Sequence, residues 1–166
     1  MGTIFFYGHS GSNGKACLSN FYPAAFVDHE DSICYSNTEQ YLMYHKAKLF
    51  GDMVIANQIL STTHPSTIKA LGRKVKGFND TTWDKHKYNI MCRGLYYKFS
   101  QNDMLKTYLL STGDATLAEA SPTDRIWGIG MSEQQAINLP QHLLYSRGQN
   151  LLGQALMSTR DRIRSS

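Results

Sequence analysis

The chain has 166 residues, 42% hydrophobic and 18% charged, which suits one globular domain and excludes a disordered chain. Its formal net charge of +4 favours anionic ligands but is too small to indicate sequence-specific nucleic-acid binding, and an ordinary basic surface explains it equally well. The three cysteines are widely spaced, which favours reduced thiols and a cytoplasmic location. The sequence shows no basic stretch followed by an apolar run, as a secretory signal would, and no apolar run long enough to cross a bilayer, so no membrane partner is expected.

The first forty residues predict short strands separated by turns. Strands are expected over residues 4–7, 18–22, 26–27 and 33–35, with a glycine- and serine-rich loop over residues 8–14. This part of the chain therefore supplies a small amount of β-structure.

Helices are predicted to follow, beginning with a capping box at Ser36 and Glu39. The serine hydroxyl would accept from the glutamate N–H, while the glutamate side chain reaches back. This helix should end near Phe50, since Gly51 follows it. Further helices are predicted over residues 52–60, from Pro65 onward, from a Thr82 cap through Phe99, and from an Asn102 cap through Leu110.

The last third of the chain predicts one strand, a long irregular segment and a final helix. The strand is expected over residues 116–120, and the irregular segment over 121–148 is long enough to be functional. The final helix should follow Asn150 and end near Ile163. With no repeat or linker, residues 1–166 predict a single, mainly helical α+β domain with a few short strands.

Glu39 and Lys46 are the first candidates for chemistry. Seven residues apart, they lie about two turns along one face of the first predicted helix. A carboxylate and an amine on one face can form a structural pair, or they can serve one reacting group. A glutamate at the third helical position is also often only a cap. The pattern leaves these interpretations open.

A second candidate cluster lies in the irregular segment, at residues 119–130. It combines Glu119 and Asp124 with Trp127 and Gly128. The indole can stack on a flat base, glycine admits a phosphate close to the backbone, and carboxylates can stabilise a cationic sugar. A turn capped by the aspartate, with a packed tryptophan, is the structural alternative.

A third candidate is the turn at Gly148 and Asn150, just before the final helix. Backbone N–H groups and the helix dipole can hold a phosphate there, although a plain glycine turn fits equally well. The sequence contains no GxGxxG after a strand, Walker loop, GxSxG, HExxH or paired cysteines. It therefore predicts neither a metal site nor a cofactor.

Several short motifs, taken in order, resemble the NADAR family, whose name refers to NAD and ADP-ribose. Each motif is weak alone, but the ordered set is specific and extends from about Phe5 to Arg160. The matching positions are residues 18–22, 36–41, 46–47, 71–73, 83, 98–99, 117–124, 127–130 and 148–153.

The resemblance implies an α+β fold and metal-free hydrolysis of an N-glycosidic bond between ribose and base. Some members of the family act on phosphorylated ribosylamino-pyrimidine intermediates of riboflavin synthesis. Others remove ADP-ribose from modified guanine in nucleic acid. The implied partner is thus a phosphorylated ribosyl or ADP-ribosyl substrate, ADP-ribosylated DNA or RNA included. A long segment at residues 131–147 and the basic charge lean towards the second class.

By motif position, the resemblance assigns catalysis to Glu39 and Asp124, with Lys46 as a further candidate. Either carboxylate can assist departure of the base or activate water, and which of them is the main acid–base group stays open. A neutral Lys46 amine can capture the opened sugar as a Schiff base. Substrate contacts are assigned to Asn20, Phe21, Arg73, Trp83, Glu119, Trp127, Gly128, Gly148 and Asn150.

The alternative function is a non-catalytic module that binds ADP-ribose or a nucleotide. Binding alone would not need Glu39, Lys46 and Asp124 together, so these residues favour an enzyme over a binding module.

Overall fold

The computed structural model describes residues 2–9 and 14–166, which fall into two compact units. The central unit holds residues 20–103, and the terminal unit combines residues 1–19 with residues 104–166. In the described part of the chain no helix is long and apolar enough to cross a membrane. In chain order the elements are β1 (Thr3–Phe6), β2 (Phe26–Asp28), β3 (Ile33–Tyr35), α1 (Thr38–Leu49), α2 (Met53–Leu60), α3 (Pro65–Gly72), α4 (Asp80–Ser100), α5 (Asp103–Ser111), β4 (Thr116–Glu119), α6 (Glu133–Ala136) and α7 (Leu151–Arg164).

The central unit is built around α1. This helix packs against α2, α3 and α4, while β2 and β3 form an antiparallel hairpin with Phe26 opposite Tyr35. Because α1 has neighbours on several sides, residues around most of its circumference are buried. The predicted mainly helical α+β class is confirmed.

The start of α1 is capped one residue later than the sequence predicted. The Asn37 side chain accepts from the Gln40 N–H at 2.8 Å, and the Gln40 side chain accepts from the Ser36 N–H at 2.7 Å. The predicted capping box of Ser36 and Glu39 is therefore wrong in register. Glu39 occupies the second helical position, and its neighbours Asn37 and Gln40 cap the helix in its place.

Gln40 also ties α1 to the end of α2. Its amide nitrogen donates to the carbonyl oxygens of Ile59 at 3.1 Å and Thr62 at 2.9 Å. The side chain is buried, so each of these bonds satisfies a polar group that water cannot reach. The glutamine thus fixes where α1 begins relative to α2.

A buried polar network joins the β2–β3 hairpin to α1. Tyr41 donates its hydroxyl to Asp28, and Tyr35 donates to Asp31, both at 2.7 Å. His45 lies one turn beyond Tyr41, with its ring centroid 4.3 Å from the phenol ring. Burial lowers the pKa of His45 to about 4. The hairpin is therefore held to α1 by hydrogen bonds as well as by aromatic packing.

The terminal unit pairs β1 with β4 in parallel, with Thr3 opposite Thr116, and α7 packs on β4. Gly153 of α7 makes this close packing possible, because an added Cβ would overlap the carbonyl oxygen of Leu117. The buried side chains of this core include Leu117, Leu152 and Leu156, each at 0% exposure.

Other boundaries depart modestly from the sequence predictions. The strand expected over residues 18–22 is wrong, because Gly14–Leu18 forms a 3₁₀ helix and a turn follows it. The fourth helix begins at Asp80, where Asn79 accepts from the Thr82 N–H, so Thr82 is not its cap. The loop predicted over residues 8–14 lies partly outside the described residues.

We expect Gly153→Ala to destabilise the protein by on the order of 2 kcal/mol, because the new methyl group must displace a strand carbonyl. Chemical denaturation followed by circular dichroism measures this change. The matched control is Ser158→Ala, an exposed position of the same helix, with an expected change within about 0.5 kcal/mol. Equal stability of the two variants would show that the contact between α7 and β4 is not tight.

Candidate active site

The structure places Glu39 and Lys46 near each other on α1, as their spacing predicted. The Glu39 side chain is buried, at 7% exposure, and Lys46 is half-buried. The negative charge of Glu39 acts on the Lys46 amine and opposes the lowering of its pKa by burial. These two groups therefore share one environment in the central unit.

Two aromatic rings flank the Lys46 amine. Its Nζ lies 4.6 Å from the centre of the Phe78 ring and 5.9 Å from the centre of the Trp83 ring. Trp83 is buried, whereas Phe78 is 40% exposed and rests edge-on against Phe50 with ring centres 5.3 Å apart. The amine is thus held between apolar surfaces, and one of them remains open to solvent.

These surroundings lower the pKa of Lys46 below its usual value of 10.5. Burial is the largest cause, because it penalises the charged ammonium, and the positive charge of Arg73 acts in the same direction. Glu39 and Asp80 oppose the shift. The net result is an amine that gives up its proton more readily than an exposed lysine does.

Asn20 is attached to Glu39 through the backbone, since its carbonyl oxygen accepts the Glu39 N–H at 3.1 Å. Among the described residues its buried side-chain oxygen finds no hydrogen-bond partner, and the same holds for the hydroxyl of Thr38. Phe21, the next residue, has the amine of Lys69 6.0 Å from the centre of its ring. Substrate contact by Asn20 or Phe21 stays a prediction.

In the terminal unit, Asp124 caps a turn. Its Oδ1 accepts from the N–H groups of Ile126 at 3.0 Å and Trp127 at 2.8 Å, and its own N–H donates to Ser121. This is the structural alternative that the sequence left open. These hydrogen bonds engage one carboxylate oxygen of Asp124, and the catalytic role of this residue stays a prediction. Trp127 is half-buried.

Gly128 and Gly148 are required by backbone packing. A Cβ on Gly148 would lie 2.5 Å from the carbonyl oxygen of Gly128, and one on Gly128 would lie 2.9 Å from the backbone oxygens of Asp124 and Glu119. Side chains are excluded at both positions for this reason alone. The contact with substrate phosphate predicted for these glycines, like that of Glu119 with substrate, stays a prediction.

Asn150 fastens β4 to the start of α7. It adopts a left-handed backbone with φ of 54°, and its fully buried amide accepts from the Glu119 N–H and donates to the Leu117 carbonyl. The N–H groups of Leu151 and Leu152 donate to carbonyls of the preceding loop. The first donors of α7 are therefore already engaged within the protein, and a phosphate contact at this turn stays a prediction.

The predicted site residues thus form two groups, one in each unit. In the central unit Glu39, Lys46, Arg73 and Trp83 share one electrostatic and aromatic environment, and the Asn20–Phe21 pair adjoins Glu39. Sequence reasoning missed Phe78 and Asp80, which also act on Lys46. Phe78 could have been noticed in the sequence because it is an aromatic residue in an otherwise polar loop. The terminal group comprises Glu119, Asp124, Trp127, Gly128, Gly148 and Asn150.

Comparison with known proteins shows what this chain resembles. It is 44% identical to an N-glycosidase of Acanthamoeba polyphaga mimivirus, over 95% of this chain and 94% of the relative. It is 32% identical to an N-glycosidase of Nostoc punctiforme, over 98% and 94%. It is 28% identical to a riboflavin biosynthesis protein of Vibrio vulnificus, over 96% of this chain but only 38% of the relative.

The fold is similar to the NMR structure of the E. coli protein YbiA. The TM-score is 0.76 at 25% identity, over 99% of this chain and 88% of the other. The family model of the NADAR domain matches residues 5–164, which include parts of both units and every predicted site residue. The chain belongs to the NADAR family.

Proposed function

We propose that this protein hydrolyses the bond between ribose C1 and a nitrogen base, with Glu39 and Lys46 carrying the chemistry. The observation behind this proposal is the Lys46 amine, held between Phe78 and Trp83 on the helix that presents Glu39. The N-glycosidase activity predicted from the sequence is confirmed by the relatives that bear that name. The assignment of residues to steps is our proposal.

The first step replaces the base by lysine. Departure of the base develops positive charge at C1 and the ring oxygen, which the carboxylate of Glu39 stabilises. The neutral Lys46 amine forms a bond to C1 as the C–N bond to the base breaks. The departing base takes the proton that the newly attached amine gives up. The ribose ring then opens, its oxygen takes one proton from solvent, and a protonated imine between C1 and Lys46 results.

The second step is hydrolysis of this imine. Water adds to C1 and loses a proton to the Glu39 carboxylate, the C–N bond to Lys46 breaks, and the sugar departs with a free anomeric hydroxyl. One water molecule is consumed, one proton returns to solvent, and the neutral amine and the Glu39 carboxylate are both regenerated. Both proposed steps use side chains of this protein and no metal ion. Asp124 stays the alternative acid–base group.

ADP-ribose attached to guanine in nucleic acid is the substrate we favour. Arg73 acts on Lys46, and the exposed Lys74 and Lys76 follow it in the segment that leads to Phe78, so this segment carries three positive charges. Such a cluster suits a substrate with several phosphates. The candidate with one phosphate is a ribosylamino-pyrimidine phosphate, which the riboflavin biosynthesis relative supports.

We expect the purified protein to release free ADP-ribose from ADP-ribosyl-guanine DNA and to restore guanine, as measured by mass spectrometry. Glu39→Gln should lower kcat at least 100-fold while the substrate still binds, because the amide cannot stabilise positive charge or accept a proton. The matched control is Glu133→Gln, a surface glutamate of α6, which should retain full turnover.

A parallel reaction offers a ribosylamino-pyrimidine phosphate. Release of ribose 5-phosphate from that substrate alone would replace the nucleic-acid assignment and keep the N-glycosidase. Full activity of Glu39→Gln on either substrate would contradict the role of Glu39. Binding without turnover of both substrates would favour the non-catalytic module.

The pH dependence of kcat tests the role of Lys46. If the neutral amine attacks, kcat rises as the pH passes the pKa of Lys46, so the rising limb lies below 10.5. Arg73→Gln removes a charge that holds this pKa down, and we therefore expect the limb to move to higher pH. Lys85→Gln, which removes an exposed positive charge of α4 that is not among the charges acting on Lys46, serves as the control and should leave the limb in place. If kcat rises at the same pH in Arg73→Gln as in wild type, that result would contradict attack by Lys46.

A further inference from the structure

Asp28, Asp31 and His45 bring three metal-ligating atoms together in the central unit. The carboxylate oxygens and the imidazole nitrogen all lie within 4.8 Å of one another. Their side chains are 2%, 12% and 10% exposed, respectively. They come from the end of β2, the hairpin turn and the middle of α1, so this convergence is produced by folding.

The distances from the imidazole nitrogen to the two carboxylate oxygens are too long for hydrogen bonds and close to those around a shared metal ion. The Tyr35 hydroxyl also lies near this nitrogen, at 3.5 Å. His45 Nε2 lies 3.8 Å from Asp28 Oδ2 and 3.7 Å from Asp31 Oδ2. Hydrogen bonds of this kind measure about 2.7–3.2 Å. Ligands of a tetrahedral Zn²⁺ ion, at about 2.0–2.1 Å from it, are on the order of 3.4 Å apart. The two distances from the imidazole nitrogen exceed that separation by a few tenths of an ångström, and the two carboxylate oxygens lie within 4.8 Å of each other.

Both carboxylates are held in place by other groups. The Oδ1 atoms of Asp28 and Asp31 accept backbone N–H groups at 2.8 Å, and each Oδ2 accepts a tyrosine hydroxyl at 2.7 Å. A carboxylate oxygen has two lone pairs, so the Asp31 Oδ2 retains one for a metal. Asp28 also accepts a hydrogen bond from Tyr97, so three of the four lone pairs of its carboxylate are used and one remains for a metal. Hydrogen bonds that orient the ligands from behind are the usual support of metal sites.

The charges of the cluster also suit a cation. Asp28 and Asp31 are two carboxylates in a largely buried place. Arg93 is linked to Asp28 alone, by donating to the Tyr41 hydroxyl at 3.4 Å. One guanidinium balances only one of two carboxylates, and buried charges are ordinarily paired or coordinate metals. A divalent cation would supply the remaining positive charge.

We propose that Asp28 Oδ2, Asp31 Oδ2 and His45 Nε2 bind one divalent transition-metal cation, with Zn²⁺ the best match to these ligands. A water molecule completes the four-coordinate site from the more exposed Asp31 side. The site clamps the hairpin to α1. Tyr41 and His45 lie on the face of α1 away from Glu39 and Lys46, so the metal stabilises the fold and takes no part in the proposed hydrolysis.

The test is titration of the chelator-stripped, full-length protein with Zn²⁺ against a chromophoric chelator. Wild type should bind about one equivalent, and Co²⁺ should give the visible absorption of a four-coordinate site. His45→Gln should weaken Zn²⁺ binding more than tenfold and abolish the cobalt spectrum. His86→Gln, an exposed imidazole of α4, should match wild type.

Asp31→Asn is the second variant, because an asparagine can keep the turn hydrogen bond while losing the charge. It should fold by circular dichroism and also bind Zn²⁺ more than tenfold more weakly. Two results would overturn the proposal. One is wild type that binds no Zn²⁺ at micromolar concentrations. The other is binding unchanged in both His45→Gln and Asp31→Asn, which would place the ion elsewhere.

Discussion

The hydrogen bonds of Gln40 are the constraint on which the candidate site depends. This one buried side chain accepts from the backbone before α1 and donates to two carbonyls at the end of α2. With Asn37 it completes the cap of the helix, and Glu39 therefore occupies the second helical position. Because α1 is rigid from that point, the position of Lys46, seven residues on, follows from helix geometry.

Fixing α1 also fixes two different surfaces of one helix. One face carries Glu39 and Lys46, and there burial lowers the pKa of the amine while Glu39 opposes the shift. Another face carries Tyr41 and His45, which meet the aspartates of the hairpin. The reactive face needs partial desolvation, which costs stability, and the hairpin face supplies hydrogen bonds that hold the helix in place.

Sequence reasoning predicted the helices well because their local signals are strong. Pro65 and Gly51 mark a start and an end that the structure reproduces. The cap of α1 was misplaced because Ser36 and Asn37 are both good caps, and Glu39 and Gln40 both suit the third position. What decides between them is the pair of carbonyls at the end of α2, which local sequence cannot reveal.

The same limit applies to the sites. The common face of Glu39 and Lys46 could be predicted, because it needs only helical spacing. The contact of Lys46 with Phe78 joins residues 32 positions apart and has no motif. The cluster of Asp28, Asp31 and His45 is equally invisible, since its spacing matches no common metal motif and only the hairpin brings its members together.

The most direct test of the central claim is chemical trapping of the imine. The protein is mixed with substrate and sodium borohydride, digested, and its peptides are analysed by mass spectrometry. Our account predicts a reduced ribosyl adduct on Lys46, absent without substrate and absent from Lys48 on the same helix. Turnover at the normal rate with no adduct on Lys46 would contradict covalent catalysis by this residue.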